Sequence, residues 1–159
     1  MTGQVVKALV SFAALALLLA SCGGDSSGDD NAGSDGPPLT KAQFIEQGDA
    51  ICKKAMSELF ANSQAFVKKN EINRPEPSEA ENLELLVEIY LPHIESRLTK
   101  LQELSPPAAD EQQIEEIFAA TEDALATARK SPKKVLGENL FEEPKSLFAD
   151  YGFKACGKA

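Results

Sequence analysis

Residues 40–69 read TKAQFIEQGDAICKKAMSELFANSQAFVKK. Apolar or small residues recur there at Phe44/Ile45, Gly48, Cys52, Ala55/Met56, Leu59, Ser63 and Phe66. Steps of three and four place them in one stripe along a helix, because a turn takes 3.6 residues. Thr40 followed by Gln43 makes a capping box. Lys68 and Lys69 close the stretch, where the helix dipole favours cations. The pattern predicts one long helix from Lys41 to Lys69.

Outward from it, Glu71–Pro77 holds two prolines and links onward. Ser78 with Glu81 is a second capping box. Leu83, Val87, Tyr90, Ile94, Leu98 and Leu101 keep helical spacing, which predicts a second helix from Glu79 to Leu104. Pro92 falls inside it. Proline has no amide to donate to the Glu88 carbonyl, so a kink is expected there. Ser105-Pro106-Pro107 stops the chain. Asp110 opens a third helix whose stripe is Ile114, Ile117/Phe118, Thr121, Leu125 and Ala128, ending near Arg129-Lys130. Val135, Leu136, Leu140 and Phe141 suit a short fourth helix. Pro144 either kinks it or starts another turn through Leu147, Phe148 and Tyr151, with Gly152 as a stop. No window alternates at period two for long enough to form a strand. The expected fold is all-α, a four-helix up-down bundle with a kinked second helix and an irregular C-terminal helix.

Charge narrows the function classes. The chain carries a formal net charge of −9, and 21 of its 25 acids and 15 of its 16 bases fall in residues 39–159. A net-negative domain excludes a basic nucleic-acid binder. Its length excludes a two-domain solute receptor.

The N-terminus carries a different signal. Met1–Lys7 is weakly positive, and Ala8–Ala20 is an apolar run with one interruption, Ser11. That run is too short to span about 30 Å of hydrocarbon but suits a secretory signal. It ends in Leu19-Ala20-Ser21-Cys22. These four residues resemble the lipobox of bacterial lipoproteins position for position. The resemblance implies cleavage after residue 21. Cys22 would then be diacylglycerylated, N-acylated and the mature N-terminus, fixed at the extracytoplasmic face of the cell membrane. Two or three acyl chains anchor stably, at about 0.8 kcal/mol per buried CH2. Gly23–Pro38 has no apolar side chain larger than alanine, so residues 22–38 read as a lipidated cysteine with an unstructured acidic tether. The domain proper is 39–159.

With Cys22 assigned to lipid, two of the three cysteines remain, Cys52 and Cys156. An oxidising compartment and an even remainder favour a disulfide. Two free thiols and a metal pair are the alternatives, the latter lacking zinc spacing. The segments Lys41-Ala42-Gln43-Phe44-Ile45, Asp49-Ala50-Ile51-Cys52 and Tyr151-Gly152-Phe153-Lys154-Ala155-Cys156-Gly157 are also similar to small lipoproteins of actinobacterial type. That similarity implies a Cys52–Cys156 pairing, tying the C-terminal helix back, and brings no activity with it.

Candidates for chemistry are few. His93 is the only histidine and stands beside the stripe next to Pro92, as a packed or boundary residue or as a ligand. Met56 with His93, on different helices, is the one pairing suited to haem, set against Met56 as core filler. Carboxylates cluster at Glu79/Glu81/Glu84/Glu88, Glu111/Glu115/Glu116 and Glu142/Glu143, either solvated faces or an acid–base pair. Arg129, Lys130, Lys133 and Lys134 form a basic group, either a helix end with its loop or a lipid-headgroup contact. No P-loop, GxGxxG or HExxH occurs. No catalytic residue, metal or cofactor is expected. The expected role is a membrane-anchored, non-catalytic binding or interaction module of the cell envelope, partnered by the membrane through Cys22 and by an envelope protein. The alternatives are a bundle binding a lipid, metal or haem, a carboxylate-dependent envelope enzyme, and a structural spacer.

Overall fold

The computed structural model describes residues 37–73 and 75–158. The signal segment 1–21, Cys22 and linker residues 23–36 lie outside the described residues. The fold is mostly helical, with no strand among the described residues. No helix among them is long and apolar enough to cross a membrane.

Helix α1 spans Lys41–Lys69, the range its stripe and caps predict. Both arms of the capping box form: the Thr40 amide donates to Gln43 Oε1 at 3.0 Å, and the Gln43 amide to Thr40 Oγ1 at 3.3 Å. At the far end Glu71 turns left-handed, with φ 51°. The Glu71 amide then reaches the Lys68 carbonyl at 3.3 Å, and the Ile72 amide the Val67 carbonyl at 3.1 Å. These two bonds make a Schellman turn, and it leaves Ile72 buried.

The expected second helix is three pieces: α2 (Glu79–Leu85), a π-helical turn (Leu86–Tyr90) and α3 (Leu91–Gln102). The kink expected at Pro92 is taken up just ahead of the proline. Pro92 stands in the first turn of α3, and the Leu91 amide reaches back five residues to the Leu86 carbonyl. A wider turn relieves the clash between the proline ring and the carbonyl four residues earlier. It also adds one residue to the repeat and so corrects the predicted stripe. Leu86 and Leu91, five apart, are buried, whereas Val87 and Tyr90 are 46% and 38% exposed. Past the turn Leu98 and Leu101 are in the core as expected.

Helix α4 (Glu111–Lys130) buries Ile114, Ile117, Thr121, Leu125 and Ala128 as predicted, and Ala124 besides. Asp110 precedes it without capping it. Its carboxylate instead accepts the Tyr151 hydroxyl at 2.8 Å. Burial first, then that bond and the Asp110 charge, push the Tyr151 phenol well above its ordinary pKa. The fourth helix is discontinuous: α5 (Pro132–Gly137) and α6 (Glu142–Tyr151). Pro144 sits in the first turn of α6, where no intrahelical amide bond is lost.

Gly152 ends α6 with φ 121°, a conformation that side-chained residues rarely adopt. The turn it permits, with the Phe153 amide on the Phe148 carbonyl at 3.0 Å, sends Phe153 back into the core. Its ring centroid lies 5.8 Å from Phe44, 5.4 Å from Phe148 and 5.5 Å from Tyr151. The pairs with Phe44 and Phe148 are edge-to-face, an arrangement that adds to area burial. Gly48 of α1 lies against that ring, and a Cβ there would stand 2.5 Å from Phe153 Cε1 and 3.2 Å from Leu101 Cδ2. Gly48→Ala gains about 1 kcal/mol of helix propensity. Overpacking against a ring held by three others takes back about 1–3 kcal/mol. A net fall of several degrees in Tm is expected, and calorimetry showing a rise would refute this account of the contact.

A 3-10 turn (Cys156–Lys158) ends the described chain and packs on α1 and α6. The remaining packing is α1 on α3, α3 on α4, and α4 on both α5 and α6. One buried cluster joins Phe44, Cys52, Leu101, Ile114, Ile117, Phe148, Tyr151 and Phe153. A second joins Leu86, Leu91, Leu98, Leu125 and Ala128. Cys52 and Cys156 form a disulfide across 104 residues of sequence, so neither free thiols nor a metal pair applies to them.

Candidate functional site

The stripe of α1 is buried only in part. Phe44, Gly48 and Cys52 lie under the C-terminal segment, and Phe66 is buried near the other end. Between them Met56 is 44% and Phe60 66% exposed. Met56 is therefore not the core filler its spacing predicts. The helix facing it has turned by one residue, which leaves Tyr90 at a rim instead of over α1. Ala55, Met56, Leu59, Phe60 and Ser63 of α1 face Tyr90 of the π turn and His93, Ile94 and Arg97 of α3. With Lys158 they line a groove of about 370 Å³. That volume is at the low end for a small-ligand site.

Both weak ligand candidates, Met56 and His93, line this one groove. His93 Nε2 lies 2.8 Å from Asn62 Nδ2, a hydrogen bond between α3 and α1. One ring nitrogen of His93 is thus engaged in holding the two helices together. Ser63, a small stripe residue, has its hydroxyl buried with no hydrogen-bond partner. A hydroxyl taken from water without a partner costs about 1–3 kcal/mol. Ser63→Ala is therefore expected to leave Tm unchanged or raise it slightly, and a loss of several degrees on thermal unfolding would show that the hydroxyl is bonded.

Arg97 is the polar residue that sequence patterning missed. It is half-buried, and among the described residues it has no ion pair or hydrogen bond. Burial lowers its guanidinium pKa from the ordinary value. Some other basic side chains have acid partners at the surface. Arg129 pairs with Glu95, Lys133 with Glu79 at 3.0 Å, and Lys134 with Glu138 at 3.9 Å. Most of the basic group around Pro132 is thereby neutralised. The signal available in sequence was an arginine four residues after His93 and one before Leu98, at the edge of the stripe.

The acidic clusters lie mainly on exposed faces, Glu81 being half-buried. No group of three or more His, Cys, Asp or Glu among the described residues is placed to hold a metal. The buried carboxylate is elsewhere. Asp49 Oδ1 accepts the Ala155 amide at 2.7 Å, the Cys156 amide at 3.3 Å and the Lys154 amide at 3.1 Å, the last shared with Oδ2 at 3.0 Å. Three consecutive amides form an anion nest around this carboxylate. An acid on the apolar stripe one turn before Cys52 was the sequence sign of it. No family model, curated protein or solved structure matches the chain.

Proposed function

We propose that the chain is a lipid-anchored module of the cell envelope that binds a ligand with an apolar body and catalyses no reaction. Acyl chains on Cys22 hold it at the extracytoplasmic face. The acidic tether spaces it from the membrane, and its helical legs run up and down as a four-helix bundle. The lipobox and the tether composition support the anchor. The single observation that carries the binding role is the α1–α3 groove, with Met56, Phe60 and Tyr90 left exposed along its rim. Exposed apolar side chains gathered around a concavity mark a binding surface.

Two measurements test this reading. Mass spectrometry of the protein from its own membranes should find acyl groups on Cys22, and Cys22→Ser should abolish them. An unmodified Cys22 would remove the anchor. For the groove, the mature chain from residue 22, carrying Cys22→Ser, is titrated with the neutral apolar dye N-phenyl-1-naphthylamine. Fluorescence should rise on binding, and Phe60→Gln should weaken it about tenfold, as loss of one aromatic wall implies, at unchanged Tm. No enhancement with the wild-type groove would refute the binding role.

A further inference from the structure

Resting on that reading of the groove, we infer that its ligand is an elongated single-chain amphiphile with an anionic head, the head held by Arg97 and the chain laid along Met56, Leu59, Phe60 and Ile94. The charge pattern is the first argument. Acids outnumber bases 25 to 16 in the chain, yet among the described residues none lines this groove, whereas Arg97 and Lys158 do. A half-buried guanidinium with no acid from the described residues beside it is incompletely compensated. A carboxylate or phosphate entering from solvent supplies the missing partner in the planar, two-pronged geometry that arginine favours.

Shape is the second argument. The Asn62–His93 bond and the close approach of Gly48 to Leu101 set α1 antiparallel to α3. Arg97 shares a small void with Cys156, which places it at the end of the groove where Lys158 lies. Ser63 and Tyr90 mark the opposite end, about 12 Å away along α1 at 1.5 Å per residue. There the groove runs into an open trough shared by Phe60, Ser63 and Tyr90 and continued by Val67 and Ile72, with Gln64, Lys68, Glu71 and Asn73 around it. The groove is thus cationic at one end, mainly apolar along its length and open at the other into a polar-rimmed trough, which fits a chain with a charged head better than a compact solute.

The test uses the mature chain from residue 22, carrying Cys22→Ser, with N-phenyl-1-naphthylamine bound and displaced by laurate or by 1-dodecanol, each kept below its aggregation range. Laurate is expected to displace the dye at a concentration about tenfold lower than dodecanol. Arg97→Gln should erase that preference, Arg97→Lys should keep most of it, and dodecanol should act equally on all three proteins. Arg97→Gln should melt no lower than the parent, since it removes an uncompensated charge. Dodecyl phosphate run beside laurate distinguishes a phosphate head from a carboxylate, and a preference for either over the alcohol supports the assignment. Equal potency of acid, phosphate and alcohol on the parent protein, or a preference that survives Arg97→Gln, overturns the anionic head. Failure of the dye to enter the parent protein would instead overturn the groove reading beneath it.

Discussion

Cys52→Ser lowers the unfolding free energy by about 5 kcal/mol, because the Cys52–Cys156 disulfide closes a loop of 104 residues. In the chain-entropy account the bond acts on the unfolded state, and the constraint grows with loop length. This loop contains nearly all of the described helices, so few positions in the chain offer a larger constraint. Domains of this size are stable by about 5–15 kcal/mol in total. The expected fall in Tm is about 15–25 °C. Both half-cystines are buried, with exposures of 0% and 1%. A thiol-specific maleimide should therefore leave the folded wild-type protein unlabelled and label Cys156 in the variant once it opens. Thermal unfolding with and without a phosphine reductant checks the energetic claim. Equal melting of the two proteins, with thiols already reactive in the wild type, would show that the bond does not hold the fold.

Asp49→Ala is expected to destabilise the protein by about 3–4 kcal/mol. The carboxylate is 7% exposed and receives three backbone amides from Lys154, Ala155 and Cys156. Hydrogen bonds to a charged group contribute about 1.5–3 kcal/mol each, and their loss strands buried donors. Asp49→Asn keeps the volume but turns an amide NH2 toward a nest of donors, so it should recover only part of the loss. Asp49 stands one turn before Cys52 and binds the segment that holds Cys156, so the acid and the disulfide fasten the same two pieces of chain. Their losses should fall short of additive in the double variant, since either one alone already frees the C-terminal segment. Chemical denaturation of the four proteins measures this. A loss below about 1 kcal/mol for Asp49→Ala, or strict additivity with Cys52→Ser, would contradict the shared role.

The parts of the fold that local rules govern were legible in the chain. The span of α1, both capping boxes, the stripe of α4 and the stop at Gly152 depend on spacing and on cap chemistry within a few residues. The break at Pro92 was legible as well, because a missing amide is a property of one residue. Its form was not. Whether a helix bends, or widens into a π turn, depends on which side chains find partners across the interface. Burial of Leu86 and Leu91 decided it, leaving Val87 and Tyr90 outside. The division of the last helix into α5 and α6 was left open for the same reason, since Pro144 is compatible with a kink or a fresh start.

The groove belongs to the second category. Periodicity assigns Met56, Leu59 and Ser63 to a buried stripe because it records only which face of a helix is apolar. It carries no information on whether another element covers that face. Coverage is set by the register and direction of α3, and these go with the π turn, the Asn62–His93 bond and the approach of Gly48 to Leu101. Sequence alone thus determined the helical class, the ends of α1 and α4 and the expectation of an anchor at Cys22, because each is encoded by neighbouring residues. Tertiary structure alone decided that Asp49 would be caged by amides 105 or more residues away and that Arg97 would be left without an acid among the described residues. The physical reason is that charge pairing depends on which groups fill the space around a side chain, and packing of distant segments determines that.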